Sequence, residues 1–127
     1  MNMMLSMHIG GKNILIPNPR DLKATLKELS KQRFHTFPAV NTLFNGLAHH
    51  PDFDSVDWSH LKVSVGGGMA VQSAVAKLWL EKTGCPICEG YGLSETSPVV
   101  SCNPVAAKAF TGTIGLPVPS TDVILVD

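Results

Sequence analysis

The chain has 127 residues, the size of one ordinary domain and enough to bury a hydrophobic core. Hydrophobic residues make up 44% of it and charged residues 16%, a balance typical of folded rather than disordered proteins. Ten acidic residues offset ten basic ones and no basic run occurs, which argues against nucleic-acid binding and against electrostatic attraction to an anionic membrane.

The N-terminal residues 1–9 are apolar but carry neither a basic leader nor a small-residue cleavage site, so they do not resemble a signal peptide. No apolar stretch of the chain is long enough to span a bilayer. The pattern predicts instead the tail of a buried helix, closed by Gly10 and Gly11. A start in mid-helix indicates a segment of a longer protein.

A strand and a helix are predicted next. Residues 13–16 form a short apolar strand that ends at Pro17, and Asn18 is expected to cap the helix that follows. Apolar residues at helical spacing define the inward face of this helix, and charged residues define the outward face. The inward residues are Leu22, Leu26 and Leu29, and the outward ones are Lys23, Lys27, Glu28 and Lys31.

A second strand and helix follow. Residues 34–37 predict a strand that Pro38 stops, and Asn41 is expected to cap the next helix. The histidine pair at residues 49–50 is interpreted as the end of that helix rather than as a metal site, because cationic side chains suit a helix C-terminus. The polar loop beyond it is expected to send Trp58 into the core.

Two glycine-bearing loops are predicted to follow strands. Residues 61–65 form a strand that runs into the three glycines 66–68, and the helix after them ends near Gly84. The inward face of that helix is expected to carry Val71, Ala74, Val75 and Leu78. Residues 86–88 form another strand, which leads into the polar, glycine-containing run 88–98.

The alternation of strands and helices predicts an α/β fold, in which a layered parallel sheet is flanked by helices. Residues 99–102 and 123–126 predict two further strands, with a loop and a turn-rich segment between them. The two glycine-bearing loops then lie at the carboxyl ends of strands, where open α/β sheets bind ligands.

Three cysteines, an odd number, favour a reducing cytoplasm. Cys85-Pro86-Ile87-Cys88 has the spacing of a redox or zinc pair. A thioredoxin-type pair would open a helix after a strand, whereas this pair follows a helix and enters a strand, and the sequence holds no second pair to complete a zinc site. We therefore predict buried or half-buried thiols.

The run 88–98 holds the strongest functional signal. Tyr91 lies between two glycines, and a base stacked on such an open ring typically gains about 1–3 kcal/mol. Ser94 and Thr96 can each donate a hydrogen bond to an anionic oxygen. Glu95 is a hard oxygen ligand suited to Mg²⁺, which usually also binds substrate phosphates. Together they indicate a site for a nucleotide and its metal ion, the alternative being a polar turn at the end of a strand.

A dinucleotide-binding Rossmann segment is the competing hypothesis. It requires a strand, a glycine turn, a helix and an acid about 20 residues further on, a distance that Glu89 meets. However, Val71 stands where the third glycine should allow close packing of helix and strand. The hypothesis also leaves residues 91–96 without a role.

The run Gly90-Tyr91-Gly92-Leu93-Ser94-Glu95 resembles the tyrosine–glycine–X–threonine–glutamate signature of the adenylate-forming superfamily, with Ser94 in place of threonine. This superfamily includes acyl-CoA synthetases, nonribosomal peptide adenylation domains and luciferases. Over essentially the whole chain the sequence is similar to bacterial long-chain fatty acid–CoA ligases. The stretches that carry this similarity are residues 18–21, 40–44, 66–69, 89–96 and 112–121.

The resemblance implies a two-step reaction, in which fatty acid and ATP give acyl-AMP and pyrophosphate, and coenzyme A then displaces AMP. It implies that Ser94 binds the α-phosphate and that Glu95 holds Mg²⁺, the two residues that take part in the chemistry. The nucleotide-binding residues implied are Gly67, Gly68, Glu89, Gly90, Tyr91, Gly92, Leu93 and Ser94. The implied walls of the acyl channel are Val40, Ser64, Gly66 and Met69, while residues 111–119 serve as structural support.

The resemblance also implies that residues 1–127 are an internal part of the large N-terminal domain of such an enzyme. The family's phosphate loop would then lie upstream, and the ribose-binding aspartate and the small domain with the catalytic lysine downstream, so the chain alone is expected to be inactive. The parent enzyme would be cytoplasmic, with peripheral association at the inner face of the membrane. Another adenylating enzyme and a non-catalytic nucleotide-binding module remain the alternatives, and the sequence leaves chain-length preference and oligomeric state open.

Overall fold

The computed structural model describes residues 2–126, which form a five-stranded sheet and four helices. Three short 3₁₀ turns, at Pro51–Ser55, Trp58–His60 and Ser94–Thr96, lie between the longer elements. The helices and strands in chain order are α1 (Asn2–His8), α2 (Leu22–Leu29), β1 (Thr36–Ala39), α3 (Asn41–Ala48), β2 (Val63–Gly66), α4 (Ser73–Thr83), β3 (Ile87–Gly92), β4 (Val99–Cys102) and β5 (Leu116–Pro117).

The sheet has the strand order β1-β2-β3-β4-β5 and is mixed. The strands β1, β2 and β3 are parallel, with Ala39 opposite Gly66 and Gly66 opposite Glu89. The strands β4 and β5 continue the sheet in antiparallel orientation. The predicted α/β class with flanking helices is confirmed. The sheet is not parallel throughout, because the link from β3 to β4 is too short for the crossover that a parallel neighbour needs.

The core is built around aromatic side chains between the sheet and the helices. Trp79 on α4 is fully buried and stacks on Phe37 of β1 with ring centroids 5.8 Å apart. Phe44 on α3 meets the same indole edge-on at 4.8 Å. Trp58 stacks on Phe53 at 4.7 Å and is 8% exposed, which confirms that it fills the core. The sheet is thus backed by a layer of aromatic rings that pack closely on one another.

Three predicted features of the strands are wrong. Residues 13–16 form no strand, although Ile14 and Ile16 still pack against the core. The strand β1 begins two residues later than predicted and includes Pro38, which is tolerated because β1 lies at an edge of the described sheet. Residues 123–126 form no strand either, and their side chains are mostly exposed.

The helix ends differ from prediction in their capping side chains. Asp21 rather than Asn18 caps α2, accepting a hydrogen bond from the Ala24 amide at 2.9 Å. The helix α3 has no side-chain cap, because Val40 occupies the N-cap position and Asn41 is the first helical residue. Gly84 ends α4 in the left-handed conformation at φ 70°, as predicted.

The helices α1 and α4 also depart in part from the predicted pattern. The helix over Asn2–His8 is confirmed and is followed by Gly10 at φ 74°, but Met4 and Leu5 are exposed rather than buried. On α4 the predicted inward residue Ala74 is exposed, and Ala76 is buried instead. Within residues 2–126, no helix combines the length and the apolar character that crossing a membrane requires.

Candidate functional site

The parallel strands β1, β2 and β3 all end on the same side of the sheet, which we call the edge from here on. The predicted site residues lie at this edge or directly after it in the chain. We call residues 67–72 the glycine turn. The Gly67 amide donates to the carbonyl of Ala39 at 3.3 Å, so this turn begins beside the end of β1. A Cβ placed on Gly68 would lie 3.5 Å from Val40 Cγ1, and one placed on Gly67 would lie 3.8 Å from the carbonyl oxygen of Gly90. Val40, the glycine turn and the start of the tyrosine signature are therefore neighbours, as the parallel topology predicts.

Two glycines at this edge are not required by the packing of the chain itself. At Gly67 and at Gly90, an added methyl group would make only ordinary van der Waals contacts, at 3.8 Å and at 3.7 Å or more. Neither residue has a positive φ. Neither position therefore needs glycine for the packing or the backbone conformation of the chain itself.

Two other glycines of the predicted site are required by the fold. A Cβ on Gly66 would approach Val71 Cγ2 to 2.6 Å and Ile87 Cγ2 to 2.9 Å. A Cβ on Gly92 would run into the backbone of Pro98. Gly66 is buried beneath the edge, while Gly92 lets the loop after β3 fold back closely on the strand.

The turn after β2 is held by two buried side chains. The Glu89 carboxylate oxygen Oε1 accepts the Val71 amide at 2.8 Å, and Asn41 Oδ1 accepts the next amide, that of Gln72, at 2.9 Å. Both side chains are only 8% exposed. The Glu89 carboxylate therefore binds the turn, and the acid that the Rossmann hypothesis needs for a ribose is engaged elsewhere.

Tyr91 projects from the end of β3 and keeps 43% of its surface exposed. The pairing of β3 with β4 shifts register between Tyr91 and Gly92, an irregularity of the kind that re-aims side chains beside functional sites. Leu93, the next side chain of the signature, is 49% exposed. The ring is thus not buried in aliphatic packing, and a planar group can reach it.

The three polar residues of the loop after β3, Ser94, Glu95 and Thr96, differ in the contacts that they make. The Thr96 hydroxyl accepts the Leu93 amide at 2.9 Å and lies 2.8 Å from the carbonyl oxygen of Pro98, to which it donates. Thr96 thereby closes the loop, with its hydroxyl proton directed at the backbone of the chain itself. Ser94 and Glu95 are exposed, and within residues 2–126 their side chains have no hydrogen-bond or ion-pair partner. They are free to bind a ligand.

The four residues predicted to line an acyl channel fall into two groups. Val40 and Met69 are 41% and 57% exposed and flank Gly68 at the edge. Ser64 is fully buried, where its hydroxyl accepts the Trp79 indole N–H at 3.0 Å and lies 3.4 Å from Cys85 Sγ. Ser64 and Gly66 therefore lie in the core behind the edge.

Asn103 is a residue whose part in this region the sequence did not reveal. Its amide N–H donates to the carbonyl of Glu89 at 2.9 Å, and its side-chain Oδ1 accepts the Thr111 hydroxyl at 2.9 Å. The side chain also donates to the carbonyl of Thr113. These bonds tie residues 111–113 to β3, in keeping with the predicted supporting role of residues 111–119. No local sequence signal marks Asn103, because all of its partners are distant in sequence.

The cysteines are structural. Cys85 and Cys88 are 4% and 3% exposed, all three thiols are free, and residues 2–126 contain no cluster of three metal-ligating side chains. Burial, and then the neighbouring thiols, raise the pKa of Cys88, and burial raises the pKa of Cys102. Protonated thiols are poor nucleophiles. The prediction of buried or half-buried thiols is confirmed.

Comparison with known proteins defines the class to which this fold and edge belong. The sequence profile of the AMP-binding enzyme family matches residues 1–127, and the chain belongs to that family. The structure resembles an anthranilate CoA ligase, AuaEII, solved with anthranoyl-AMP, with a TM-score of 0.84 and 27% identity over 93% of this chain and 23% of that one. An apo MatB from Rhodopseudomonas palustris shares the fold, with a TM-score of 0.78 and 22% identity.

Within the family, the chain is similar to bacterial long-chain-fatty-acid–CoA ligases. It is 50% identical to the enzyme of Haemophilus influenzae over 125 residues, which cover 98% of this chain and 22% of that protein. It is 52% identical to that of Yersinia pestis over 126 residues and 39% identical to that of Bacillus subtilis over 117. The chain spans about a fifth of the length of these relatives.

Proposed function

We propose that the chain is part of the large domain of an ATP-dependent long-chain fatty acid–CoA ligase. In the reaction, a fatty acid and ATP form acyl-AMP and pyrophosphate, and coenzyme A then takes the acyl group and releases AMP. Identity of about 50% to ligases of this kind over nearly the whole chain supports the assignment. The single structural observation that carries it is the exposed ring of Tyr91 at the end of β3, next to two glycines, Gly67 and Gly90, that the chain's own packing does not require.

The adenine of the nucleotide lies, in this proposal, against Tyr91 and the backbone of Gly67, with Gly90 next to the ring in the chain. The ring offers a stacking face, and the missing side chain at Gly67 leaves the base room to approach the backbone. Gly68 adopts φ 80°, so its place in the turn also depends on glycine. Gly92 and Leu93 shape the path of the chain from the ring to the phosphate side.

Ser94 and Glu95 bind the phosphates, Ser94 directly and Glu95 through Mg²⁺. The Ser94 hydroxyl donates a hydrogen bond to the α-phosphate, and the Glu95 carboxylate holds Mg²⁺ against the phosphate oxygens. A single exposed carboxylate without a protein partner among the described residues fits this ion, which binds through one or two carboxylates together with substrate phosphates. When bound there, Mg²⁺ supplies neutralisation of the charge that develops on pyrophosphate.

The acyl chain lies on the other side of the glycine turn. Val40 and Met69 offer exposed apolar surface beside Gly68 and line the start of the channel. Ser64 and Gly66 act from behind it, as packing that supports the wall. We place the parent enzyme in the cytoplasm, in keeping with three free thiols, and at the inner face of the membrane, where long-chain acids partition.

Titration of the chain with AMP, and with ATP in the presence and absence of Mg²⁺, tests the nucleotide site. Tyr91→Ala is expected to weaken AMP binding by about 5- to 150-fold, the equivalent of about 1–3 kcal/mol of stacking, and Tyr91→Phe to retain it. Leu116→Ala, at an exposed apolar residue of β5, is the matched control and should change nothing. Equal affinities in all four proteins would refute the stacking role.

The magnesium site has its own test in the same titration. Glu95→Gln is expected to abolish the part of ATP affinity that depends on Mg²⁺ and to leave AMP binding unchanged, because only the carboxylate charge is lost. Glu81→Gln, at an exposed glutamate of α4, is the control. A Mg²⁺ dependence that survives in Glu95→Gln would place the ion elsewhere.

A chimeric ligase separates the enzymatic proposal from a nucleotide-binding module without chemistry. Residues 1–127 would replace the matching segment of the Haemophilus influenzae ligase, to which they are 50% identical. We expect long-chain acyl-CoA formation by the chimera and none by the chain alone. A folded chimera that binds ATP without turnover would favour the non-catalytic module, and turnover with shorter or aromatic acids alone would favour another adenylating enzyme.

A further inference from the structure

Two consecutive backbone amides ahead of α4 are bound by side chains from opposite sides. The Val71 amide donates to the Glu89 carboxylate of β3, 18 residues away in sequence. The Gln72 amide donates to Asn41, the first residue of α3, 31 residues away. We call these two hydrogen bonds, which hold the end of the glycine turn, the turn clamp.

The glycine turn has few other attachments. Its first amide, that of Gly67, donates to the carbonyl of Ala39 at 3.3 Å. Among residues 2–126, no hydrogen bond joins Gly68, Met69 or Ala70 to another part of the chain. The middle of the turn is therefore held only through its two ends, and the clamp provides the second end.

The Glu89 side chain reaches the turn through the space that Gly66 leaves. A Cβ on Gly66 would lie 3.9 Å from Glu89 Cγ and would also press on Val71, the residue whose amide Glu89 binds. Glu89 is 8% exposed, and within residues 2–126 no cation pairs with its carboxylate. The Val71 amide is the one hydrogen-bond donor to the carboxylate among these residues, so this bond decides where the side chain is held.

The same strand carries the ring that is proposed to bind adenine. Glu89 and Tyr91 are two residues apart on β3 and so lie on the same face of the strand. The carbonyl of Glu89 is in turn bound by the Asn103 amide at 2.9 Å, which holds this part of the strand in the sheet. A movement of the Glu89 side chain would therefore move the turn while the ring stayed in place.

We propose that Asn41 and Glu89 are positioning residues, which set the distance between the glycine turn and Tyr91. Glu89 then contributes to nucleotide binding without touching the nucleotide. Its hydrogen bond to Val71 links the turn that contains Gly68 and Met69, proposed to face the acyl chain, to the strand that carries Tyr91, proposed to face the adenine. This role rests on the proposed function, and the clamp itself can be measured without any nucleotide.

The test uses the 127-residue chain and pairs of variants that keep or remove the acceptor oxygen. Glu89→Gln and Asn41→Asp retain an oxygen, while Glu89→Met and Asn41→Leu remove it with little change in shape. We expect amide hydrogen exchange of Val71 to rise about tenfold in Glu89→Met, that of Gln72 to rise similarly in Asn41→Leu, and both to stay near wild type in the oxygen-retaining variants. Exchange in β2 serves as the internal reference for global stability.

Titration with AMP then separates positioning from simple packing. Affinity for AMP should fall about tenfold in Glu89→Met and Asn41→Leu and recover in Glu89→Gln and Asn41→Asp. Glu81→Met and Asn45→Leu, at exposed positions of α4 and α3, are the controls and should bind like wild type. Faster exchange with unchanged AMP affinity would overturn the positioning role.

Two further measurements keep the result decisive. If the wild-type chain binds no AMP, the nucleotide proposal fails, and the positioning role is judged by heteronuclear NOEs at Gly67 and Gly68, which must fall in Glu89→Met and recover in Glu89→Gln. If Glu89→Met unfolds, a scalar coupling through the hydrogen bond from the Val71 nitrogen to the Glu89 carboxylate carbon in the wild-type chain decides. Its absence would overturn the clamp.

Discussion

At the residue scale, Gly67 and Gly92 differ in what a methyl group would meet. At Gly67 it would meet only the carbonyl oxygen of Gly90, at an ordinary contact distance of 3.8 Å. At Gly92 it would run into the backbone of Pro98, which cannot turn aside as a flexible side chain could. The packing of the chain does not require the first glycine, whereas it does require the second.

Alanine substitutions at these two glycines should therefore have opposite effects. Gly67→Ala is expected to change the free energy of unfolding by less than about 0.5 kcal/mol and to weaken AMP binding at least about tenfold, because the methyl group occupies ligand space. Gly92→Ala should lose about 2–3 kcal/mol of stability through overpacking. Urea denaturation and AMP titration measure both effects, and a Gly67→Ala protein with normal affinity would contradict the assignment of that space.

A buried hydroxyl without a partner gives a second prediction at the residue scale. Thr25 on α2 is fully buried, and its Oγ1 has no hydrogen-bond partner among residues 2–126. Thr25→Val keeps the shape and removes the unsatisfied group, so we expect a gain of about 1 kcal/mol in the free energy of unfolding. Thr42→Val, at an exposed position of α3, should change little. A loss of stability in Thr25→Val would show that the hydroxyl has a partner after all.

At the scale of elements, the packing of α4 on β2 depends on one polar contact within an apolar layer. The Trp79 indole N–H donates to the Ser64 hydroxyl at 3.0 Å, and both residues are fully buried. This contact explains a serine in the middle of a core strand. It also explains why Ser64, placed in the acyl wall by family resemblance, lies in the core.

Ser64→Ala should act on stability rather than on a substrate. The substitution leaves the indole N–H buried without an acceptor, which is expected to cost about 1–3 kcal/mol in the free energy of unfolding. Ser59→Ala, at an exposed serine, is the control. Urea denaturation followed by tryptophan fluorescence measures both variants. A Ser64→Ala chain as stable as wild type would show that the indole finds another partner.

The order and type of most elements follow from local pattern, while their ends and directions do not. The leucines of α2 and the glycine that ends α4 were sufficient to predict those helices. Asn18 and Asp21 both precede α2 and both can cap a helix, and only the structure shows that the Asp21 carboxylate accepts the Ala24 amide. The direction of β4 follows from the short link after β3, and the link is that short because β3 extends to Gly92 rather than ending at residue 88.

At the scale of the whole molecule, the thiols of Cys88 and Cys102 are expected to make the free energy of unfolding fall as pH rises through the alkaline range. The pKa of Cys88 is raised by burial and by the neighbouring Cys102 and Cys85, and that of Cys102 is raised by burial. Both folded-state values therefore lie above those of the unfolded chain. The folded chain holds more protons in the alkaline range, and its stability falls as pH rises from below the unfolded thiol pKa, about 8.5, through the folded values.

We expect the urea midpoint to decline between pH 8 and pH 9.5, and the decline to be smaller in the double variant of Cys88→Ala and Cys102→Ala. The comparison of slopes matters, since removing two buried side chains lowers stability at every pH. The same thiols should react slowly with iodoacetamide at pH 7.5 in the folded chain and rapidly in urea. Equal pH slopes in wild type and double variant would contradict the thiol origin of the effect.

The sequence by itself determined the α/β class, the helix-forming segments, the burial of the thiols and the membership of an adenylate-forming family. These properties depend on local periodicity and on a contiguous signature, both of which can be recognised along a single stretch of chain. Only the tertiary structure decided that Thr96 closes its own loop, that Glu89 holds the glycine turn and that Asn41 binds an amide 31 residues away. The bonds of Thr96 reach only two or three residues along the chain but require the loop to turn back on itself, whereas Glu89 and Asn41 meet their partners only because segments 18 and 31 residues apart pack together.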